Sequence, residues 1–312
     1  MKLHTLVERY IALQRSLGKS YTSPACRLRS LVRTVGPDLA AGDLTRERVL
    51  TYLTPEKPLT RNYHIKYSSV RGFCRYAHSR GYLKVIPLPA FIIKLPSPFQ
   101  PHIYTHEELH RVLTDIDRPR RTRSEIAPIT MRTIILLLYG SGLRISEALN
   151  LDYKDVDLEQ SLITVRSGKC FHSRLVPVSA SLCRVLSNYV KRPFRRTVPR
   201  QLSFFTRRNG QRINSDAVRG YFRRICERAA VRRRDGMRQQ PRLHDLRHTF
   251  AVHRLTSWYR QGADVQTMLT HLCVYLGHVN LAATQVYLSM TPELLSEANA
   301  RFERYAANGD RR

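Results

Sequence analysis

A proline-rich segment divides this chain into two parts. The segment IPLPAFIIKLPSPFQPHIY, residues 86–104, has prolines at positions 87, 89, 96, 98 and 101. Proline lacks a backbone N–H and restricts both its own backbone and that of the preceding residue, so no regular helix can run through this segment. Because proline-rich chain is also stiff, the segment is typical of a connector. We therefore predict two folded domains, at residues 1–86 and 105–312, joined by a linker at residues 87–104.

The first domain is predicted to be a compact unit of four helices. Apolar residues recur at helical spacing in HTLVERYIALQRSL, TSPACRLRSLVRTVG, DLTRERVLTYL and TRNYHIKYSSVRGFCRYAHSRG, with Gly, Pro and Lys-Pro breaks between them. In the fourth segment basic residues alternate with Tyr and Phe, which would suit a face that binds a phosphate backbone. A solvated amphipathic helix is the alternative. The basic residues predicted to contact DNA in this segment are Arg61, Lys66, Arg71 and Arg75.

The second domain is predicted to be helical with a small antiparallel sheet, so the fold class of the chain is mainly α. Thr105 and Glu108 have the spacing of a capping box, which predicts a helix over HEELHRVLTDI. A second helix is expected over residues 128–139. The β-like stretches LITVR and RLVPV flank SGKCFHS and predict a hairpin. A C-terminal helix is predicted over residues 292–306, packed either on its own chain or on a neighbouring protomer.

The charge balance indicates an acidic polymer as partner. The chain has 53 Lys and Arg against 24 Asp and Glu, which gives a net charge of +29 and an isoelectric point near 10.6. Solubility does not require such an excess. Nucleic acid fits best, because neutralising phosphates releases counterions and supplies affinity. A membrane surface is the alternative, but basic membrane binders usually concentrate their charge in one amphipathic helix, whereas here it is spread along the chain.

The sequence contains no segment typical of a membrane span or a secreted disulfide framework. The longest aliphatic run, residues 134–138, is too short to cross a bilayer, and the N-terminus has no apolar region of signal-peptide type. The six cysteines are scattered without a Cys-x-x-Cys pair, which predicts reduced thiols rather than a zinc ribbon. We therefore expect a cytoplasmic, nucleoid-associated protein.

Two basic residues near Gly-containing turns are candidates for phosphate chemistry. In GSGLRISEAL, Ser141 is placed to cap a helix whose first turn carries Arg144, and an arginine beside a free helix N-terminus is a good anion site. Lys169, in the SGKCFHS turn, could donate a proton as a mobile ammonium. A solvated surface position is the ordinary alternative for each of them.

A histidine and an arginine share one face of the predicted helix LHDLRHTFAV. His244 and Arg247 lie three residues apart, beside an apolar stripe that can be buried. An exposed polar face is the alternative. A metal site formed by His244 and His248 is another, but a zincin helix has Glu directly after its first His, where this chain has Asp245.

Tyr287, at the end of the stretch LGHVNLAATQVY, can be interpreted either as a core residue or as a catalytic residue. At about 100° per residue on an α-helix, Ala282, Ala283, Val286 and Met290 share one apolar arc, and Tyr287 falls at its edge. A half-buried core tyrosine would take the same position. Periodicity alone leaves both interpretations open.

The order of these residues resembles the tyrosine recombinase (phage integrase) family, in an Xer-like or transposon-type form. The motifs that carry the resemblance are GLRISEAL, the G-K-x5-R-x-V-P pattern from Gly168 to Pro177, LHDLRHTFA, and LGH followed nine residues later by Tyr. The resemblance covers essentially the whole chain and is strongest from about residue 105 to residue 290. It implies a helical, SAM-like core-binding domain at residues 1–86 and a mixed α/β catalytic domain.

The resemblance implies a phosphate site and a nucleophile. Arg144 and Arg247 would hydrogen-bond the non-bridging oxygens of a phosphodiester, whose negative charge grows in the transition state. Tyr287 would attack the phosphorus. A tyrosine hydroxyl, with an ordinary pKa of about 10, is a poor nucleophile unless its site stabilises the phenolate. The resulting phosphotyrosine linkage stores the energy of the broken bond.

Four further residues complete the set that the resemblance implies. Lys169 would protonate the 5′-hydroxyl leaving group, His244 would assist proton transfer, and His278 would hydrogen-bond the phosphate. Glu147 falls where the family commonly has an acidic residue that braces the site, with an exposed helical glutamate as the alternative. No metal and no cofactor enter this mechanism.

The function implied by the resemblance is site-specific recombination of duplex DNA through a 3′-phosphotyrosyl intermediate, as in integration, excision, transposition or dimer resolution. Arg166 and Arg174, which flank the turn of the predicted hairpin, are predicted to contact DNA. Four protomers would act on two DNA sites, and no membrane is expected as a partner. The alternatives are a type IB topoisomerase, a DNA-binding protein whose site has lapsed, and a metal-dependent nuclease.

Overall fold

The chain divides into two compact units, residues 1–99 and 100–312, and the division falls inside the predicted linker. The structure is a computed structural model. It describes residues 1–54, 61–89, 100–118, 124–166, 173–192, 203–233, 240–278, 280–289, 296 and 299. The predicted C-terminal helix 292–306, apart from residues 296 and 299, lies outside this part of the chain.

The first unit contains the four predicted helices. They are α1 (Leu3–Ser16), α2 (Thr22–Val35), α3 (Arg46–Leu53) and α4 (Arg61–Ser79), with a 3-10 turn at Ala41–Asp43. The side chain of Thr45 caps α3 by accepting the backbone N–H of Arg48, a contact typically worth about 1 kcal/mol. One apolar core joins the four helices, and its fully buried members include Leu6, Leu28, Val49 and Phe73.

Helix α4 separates its aromatic residues from its exposed basic residues. Tyr63, Tyr67 and Phe73 are buried in the core of the first unit, whereas Arg71 and Arg75 are exposed. The interpretation that Tyr and Phe would join the arginines on one binding face is therefore wrong for these three aromatic residues. Burial of large aromatic area in the core explains the difference, because it stabilises a small four-helix unit more than exposure would.

The second unit is built from eight α-helices within the described residues. They are α5 (His106–Asp117), α6 (Pro128–Ser141), α7 (Ile145–Leu149), α8 (Ala180–Val190), α9 (Ser215–Arg228), α10 (Asp245–Arg260), α11 (Val265–Leu276) and α12 (Ala282–Gln285). The capping box predicted at Thr105 and Glu108 is present at the start of α5. Two 3-10 turns, Tyr153–Asp155 and Val286–Ser289, complete the helical elements.

A three-stranded antiparallel sheet contains the predicted hairpin. Its strands are β1 (Val156–Asp157), β2 (Leu162–Val165) and β3 (Arg174–Pro177), in the order β1-β2-β3. In the register of the hairpin, Val165 pairs with Arg174 and Ile163 pairs with Val176. The residues that connect β2 to β3, including Lys169, lie outside the described residues. The predicted fold class, mainly α with a small antiparallel sheet, is confirmed.

Helix α6 lies at the centre of the second unit and packs against α5, α8 and α10. It is apolar almost all round, which is typical of a helix buried on every side. A partly buried ion pair between Arg228 and Asp115 ties α9 to α5, with Nε and Nη2 of the arginine 3.0 and 2.6 Å from one carboxylate oxygen. The main apolar core of the second unit surrounds α6. A separate apolar cluster of the same unit includes Phe250, Leu276 and Tyr287. None of the described helices is both long and apolar enough to cross a bilayer.

Candidate active site

Arg144 follows the tight turn that ends α6. Gly142 takes a φ of +61°, and a Cβ there would lie 2.5 Å from Phe250 and 2.8 Å from Leu276, so only glycine fits. The prediction that Ser141 caps the next helix is wrong, because its hydroxyl donates to the Leu137 carbonyl inside α6 and accepts the backbone N–H of Leu143, which lies before the N-cap of that helix. Arg144 is itself the N-cap of α7.

The carboxylate of Glu147 joins two arginines. It accepts the backbone N–H of Arg144 at 2.9 Å and the Nη1 of Arg144 at 2.7 Å. Nη1 and Nη2 of Arg174 donate to its two oxygens at 3.1 and 2.9 Å. Burial alone would raise the pKa of Glu147, but the hydrogen bonds from Arg174 and Arg144 lower it to about 2. Glu147 is therefore a buried, ionised brace and not an exposed helical glutamate.

Arg174 fixes strand β3 to the end of α11. Its Nε donates to the Tyr275 carbonyl at 3.0 Å, and the Tyr275 hydroxyl donates to the Pro177 carbonyl at 3.1 Å. Only 14% of the Arg174 side chain is exposed. The structure thus places Arg174 inside the predicted catalytic cluster, although the sequence predicts a DNA contact for it.

Arg247 is buried, with 3% exposure, in the first turn of α10. Its Nη1 donates to the Gly142 carbonyl and its Nη2 donates to the Leu276 carbonyl, both at 2.6 Å. Burial, together with the nearby charge of Arg144, lowers the pKa of Arg247 to about 10, so the group stays charged at neutral pH. Each of the two nitrogens carries a second hydrogen, which can bond a phosphate oxygen.

His278 begins the segment after α11. The helix ends at Gly277 in the left-handed region, and the Gly277 carbonyl accepts the Nη2 of Arg144 at 3.1 Å. Nδ1 of His278 lies 2.7 Å from the buried Thr284 hydroxyl, which leaves Nε2 as the nitrogen that can bond a phosphate. Burial and the charges of Arg247 and Arg144 lower the pKa of His278 to about 4, so the imidazole is neutral at pH 7.

Tyr287 packs inside this cluster, in the 3-10 turn Val286–Ser289. The arc predicted for a continuous helix is wrong here: Val286 is 53% exposed and Tyr287 is 2% exposed. The ring centroid of Tyr287 lies 6.1 Å from that of His278 and 5.5 Å from that of His248. Burial raises the pKa of Tyr287, and the positive charge of Arg247 acts in the opposite direction.

His244 and His248 line the start of α10. Their ring centroids are 5.1 Å apart. Burial lowers the pKa of His244 and lowers that of His248 to about 4, so both rings are neutral at pH 7. Within the described residues, no group of three His, Cys, Asp or Glu side chains could hold a metal ion.

The other predicted DNA contacts have different surroundings. Arg71 and Arg75 are exposed on α4, whereas the Lys66 ammonium lies 3.1 Å from the Tyr52 carbonyl and 4.3 Å from the centroid of its ring. Arg166 forms an ion pair with Asp155 and stays half exposed. The side chain of Arg61 and all of Lys169 lie outside the described residues.

A match to a protein-family model shows which family the chain belongs to. The model of the phage integrase family matches residues 103–293, which contain the three arginines, the three histidines and the tyrosine of the cluster. The chain belongs to the phage integrase family. The resemblance predicted from the motifs is thereby confirmed, and the chain is a tyrosine-type site-specific recombinase.

Relatives extend the match to almost the whole chain. A putative integrase/recombinase of Sinorhizobium fredii is 34% identical over 309 residues, covering 96% of each chain. Tyrosine recombinase XerA of Pyrococcus furiosus is 32% identical over 210 residues, covering 67% of this chain and 64% of that one. The Tn1549 transposon integrase, in complex with a circular intermediate DNA, has the same fold, with a TM-score of 0.70 at 19% identity, covering 97% of this chain and 99% of that one.

The sequence interpretation misses two contacts of this site, one made by Thr284, which it does not name, and one made by Arg174, for which it predicts a DNA contact instead. Thr284 orients His278, and Arg174 joins Glu147 to the end of α11. A signal for Arg174 exists in the strand, because alternate residues of a strand share a face and Val176 is buried. For Thr284 the sequence offers no such signal, since its contact depends on the turn that follows Gly277.

Proposed function

We propose that the recombinase cleaves and rejoins duplex DNA with Tyr287 as nucleophile and with Arg144, Lys169, His244, Arg247 and His278 as its catalytic partners. The observation that carries this proposal is the position of Tyr287. Its ring stacks with that of His278 and lies edge-on to that of His248, beside the charge of Arg247. Tyr287 also belongs to an apolar cluster, but core packing alone does not account for two imidazoles and a buried guanidinium beside one phenol ring.

The two arginines bind the scissile phosphate in this mechanism. Arg247 is held by two main-chain carbonyls and Arg144 by Glu147 and the Gly277 carbonyl, so both guanidinium groups are oriented before DNA binds. Donors fixed in advance stabilise the charge that develops on the non-bridging oxygens without reorganising. His278 adds a hydrogen bond from Nε2.

The reaction exchanges one phosphodiester for another. The Tyr287 oxygen bonds to phosphorus while the bond to the 5′-oxygen breaks, giving a 3′-phosphotyrosyl chain and a free 5′-hydroxyl. Neutral His244 assists removal of the phenol proton, and Lys169 supplies a proton to the leaving oxygen. Attack by a 5′-hydroxyl of another strand reverses these steps and releases Tyr287, so no external energy source is consumed.

Helix α4 supplies affinity for DNA in this proposal. Arg71 and Arg75 are exposed on it, and the chain contains no Asp or Glu from residue 57 to residue 106. Basic side chains on such a surface neutralise phosphates and release counterions. Four protomers on two DNA sites would complete the exchange, and the protein would act in the cytoplasm. Family membership gives no support to the type IB topoisomerase alternative.

The test uses a nicked duplex that traps the covalent intermediate. The duplex carries a binding site that the protein selects from random-sequence DNA, and the reaction contains EDTA. Wild type should form a covalent protein–DNA adduct and Tyr287→Phe should form none, while both bind the duplex equally. An equal adduct in both proteins would overturn Tyr287 as nucleophile, and strand cleavage that requires a divalent ion and leaves no adduct would favour the nuclease.

A further inference from the structure

The carboxylate of Glu147 is fully occupied by two arginines. It accepts four hydrogen bonds, two from Arg144 and two from Arg174, which matches the number of sites that a carboxylate offers. Arg174 presents its two terminal nitrogens to the two oxygens, the geometry in which a guanidinium binds a carboxylate most strongly. The negative charge is therefore shared between two cations.

The sum of these charges matters for phosphate binding. Arg144, Glu147 and Arg174 together carry +1, so a net positive charge remains at Arg144, whose side chain is 28% exposed. Without Arg174, Arg144 and Glu147 would form a neutral pair. A neutral pair attracts a phosphate far less than a cation does, above all in a partly buried site where charges are poorly screened.

Arg174 also holds the segment that carries His278. Its Nε bonds the Tyr275 carbonyl, and a Cβ on Gly277 would lie only 3.0–3.2 Å from its guanidinium. The Arg174 guanidinium thus contacts Glu147 in α7, the helix that Arg144 caps. It also contacts the end of α11, next to the Gly277 carbonyl that accepts a hydrogen bond from Arg144. Arg174 does not need to touch DNA for either role.

We propose that Arg174 is a positioning residue that offsets the charge of Glu147 and thereby leaves Arg144 free to bind the scissile phosphate as a cation. The inference rests on the proposed function, because it concerns the phosphate bound by the same site. It assigns to Arg174 a role through Arg144, in place of the direct DNA contact predicted from the sequence.

The first test measures cleavage of the nicked duplex at saturating protein. Arg174→Gln should form adduct more slowly by roughly 10- to 100-fold, less than the loss expected for a direct transition-state donor. Adding Glu147→Gln should recover at least part of that rate, because removing the acid restores the net charge beside Arg144. A double variant no faster than Arg174→Gln would overturn the proposal, since a purely structural role predicts further loss.

A second readout isolates the phosphate charge. In a Tyr287→Phe background, the Kd is compared for duplexes with a phosphate or a neutral methylphosphonate at the scissile position. The preference for the charged duplex should fall with Arg174→Gln and return in the double variant. A preference that Arg174→Gln leaves unchanged would contradict a role through charge.

Arg228→Gln is the matched control. Arg228 also pairs with a buried carboxylate of the second unit, that of Asp115, but the pair lies outside the catalytic cluster. The control should lower thermal stability without changing the cleavage rate. If Arg174→Gln does not fold, Arg174→Lys replaces it. Lysine keeps the positive charge, so this variant should keep the preference for the charged duplex, and loss of that preference would contradict the proposal. Wild type and Tyr287→Phe in the same series separate failure of this proposal from failure of the catalytic assignment.

Discussion

The arginines of α4 and those around Glu147 illustrate two uses of the same side chain. Arg71 and Arg75 are exposed, in a stretch of chain without acidic residues. Arg247 and Arg174 are buried or nearly so, and carbonyls or a carboxylate take several of their donors. Exposed charges can provide affinity that depends on salt, whereas immobilised charges can recognise one phosphate geometry. The first unit should therefore control binding and the second should control chemistry.

The largest effect should come from Arg247. Arg247→Gln removes a donor for the transition state, and we expect adduct formation to fall by at least about 10²- to 10³-fold. It also leaves the Gly142 and Leu276 carbonyls without their donor, so thermal stability should decrease. The rate on the nicked duplex and the Kd for the same DNA are measured together. An Arg247→Gln variant that bound DNA more weakly but cleaved it at the wild-type rate would contradict the assignment of chemistry to the second unit.

A substitution at Gly277 should disturb the chemistry through geometry. Gly277→Ala places a methyl group 3.0–3.2 Å from the Arg174 guanidinium and adds a left-handed strain of roughly 1–2 kcal/mol. We expect slower cleavage and a lower melting temperature. Gly262→Ala is the matched control, since Gly262 has a φ of +71° but nothing within 4 Å of an added Cβ. Equal loss of cleavage in both variants would show that strain alone is responsible.

Removal of charge from α4 should weaken binding without slowing chemistry. For Arg71→Gln combined with Arg75→Gln, the slope of log K against log salt should decrease by about 2, roughly one for each phosphate contact. The cleavage rate at saturating protein should stay at the wild-type value. Arg29→Gln serves as control, because Arg29 is already paired with Glu8 in the same unit. An unchanged slope would show that Arg71 and Arg75 of α4 do not contact the DNA phosphates.

Acid should destabilise the second unit through its buried imidazoles. The pKa values of His248 and His278 are about 4 in the folded chain, below the ordinary value of 6.5. Between pH 6.5 and 4 the unfolded chain binds more protons, so stability must fall as the pH is lowered through this window. Urea unfolding at pH 7 and pH 5 measures the effect. His248→Asn should show a smaller difference between the two pH values than wild type, and an equal difference would contradict the assignment.

Elements governed by local rules were predictable, and elements governed by distant contacts were not. The capping box at Thr105, the four N-terminal helices and the β2–β3 hairpin follow from spacing and turn residues. Tyr287 was misplaced on its arc because the helix ends at Gln285, after which a 3-10 turn rotates the side chain inward. The role of Glu147 required Arg174, 27 residues away.

The most direct measurement asks whether one chain contains the whole site. Tyr287 packs against His278 and His248 of its own chain, which supports cleavage by the protomer that supplies the arginines. Tyr287→Phe and Arg247→Gln are mixed on the nicked duplex, with wild type at the same total concentration as reference. We predict that the mixture forms no more adduct than the two variants do separately. Adduct on the Arg247→Gln chain, at a rate near that of wild type, would contradict the account.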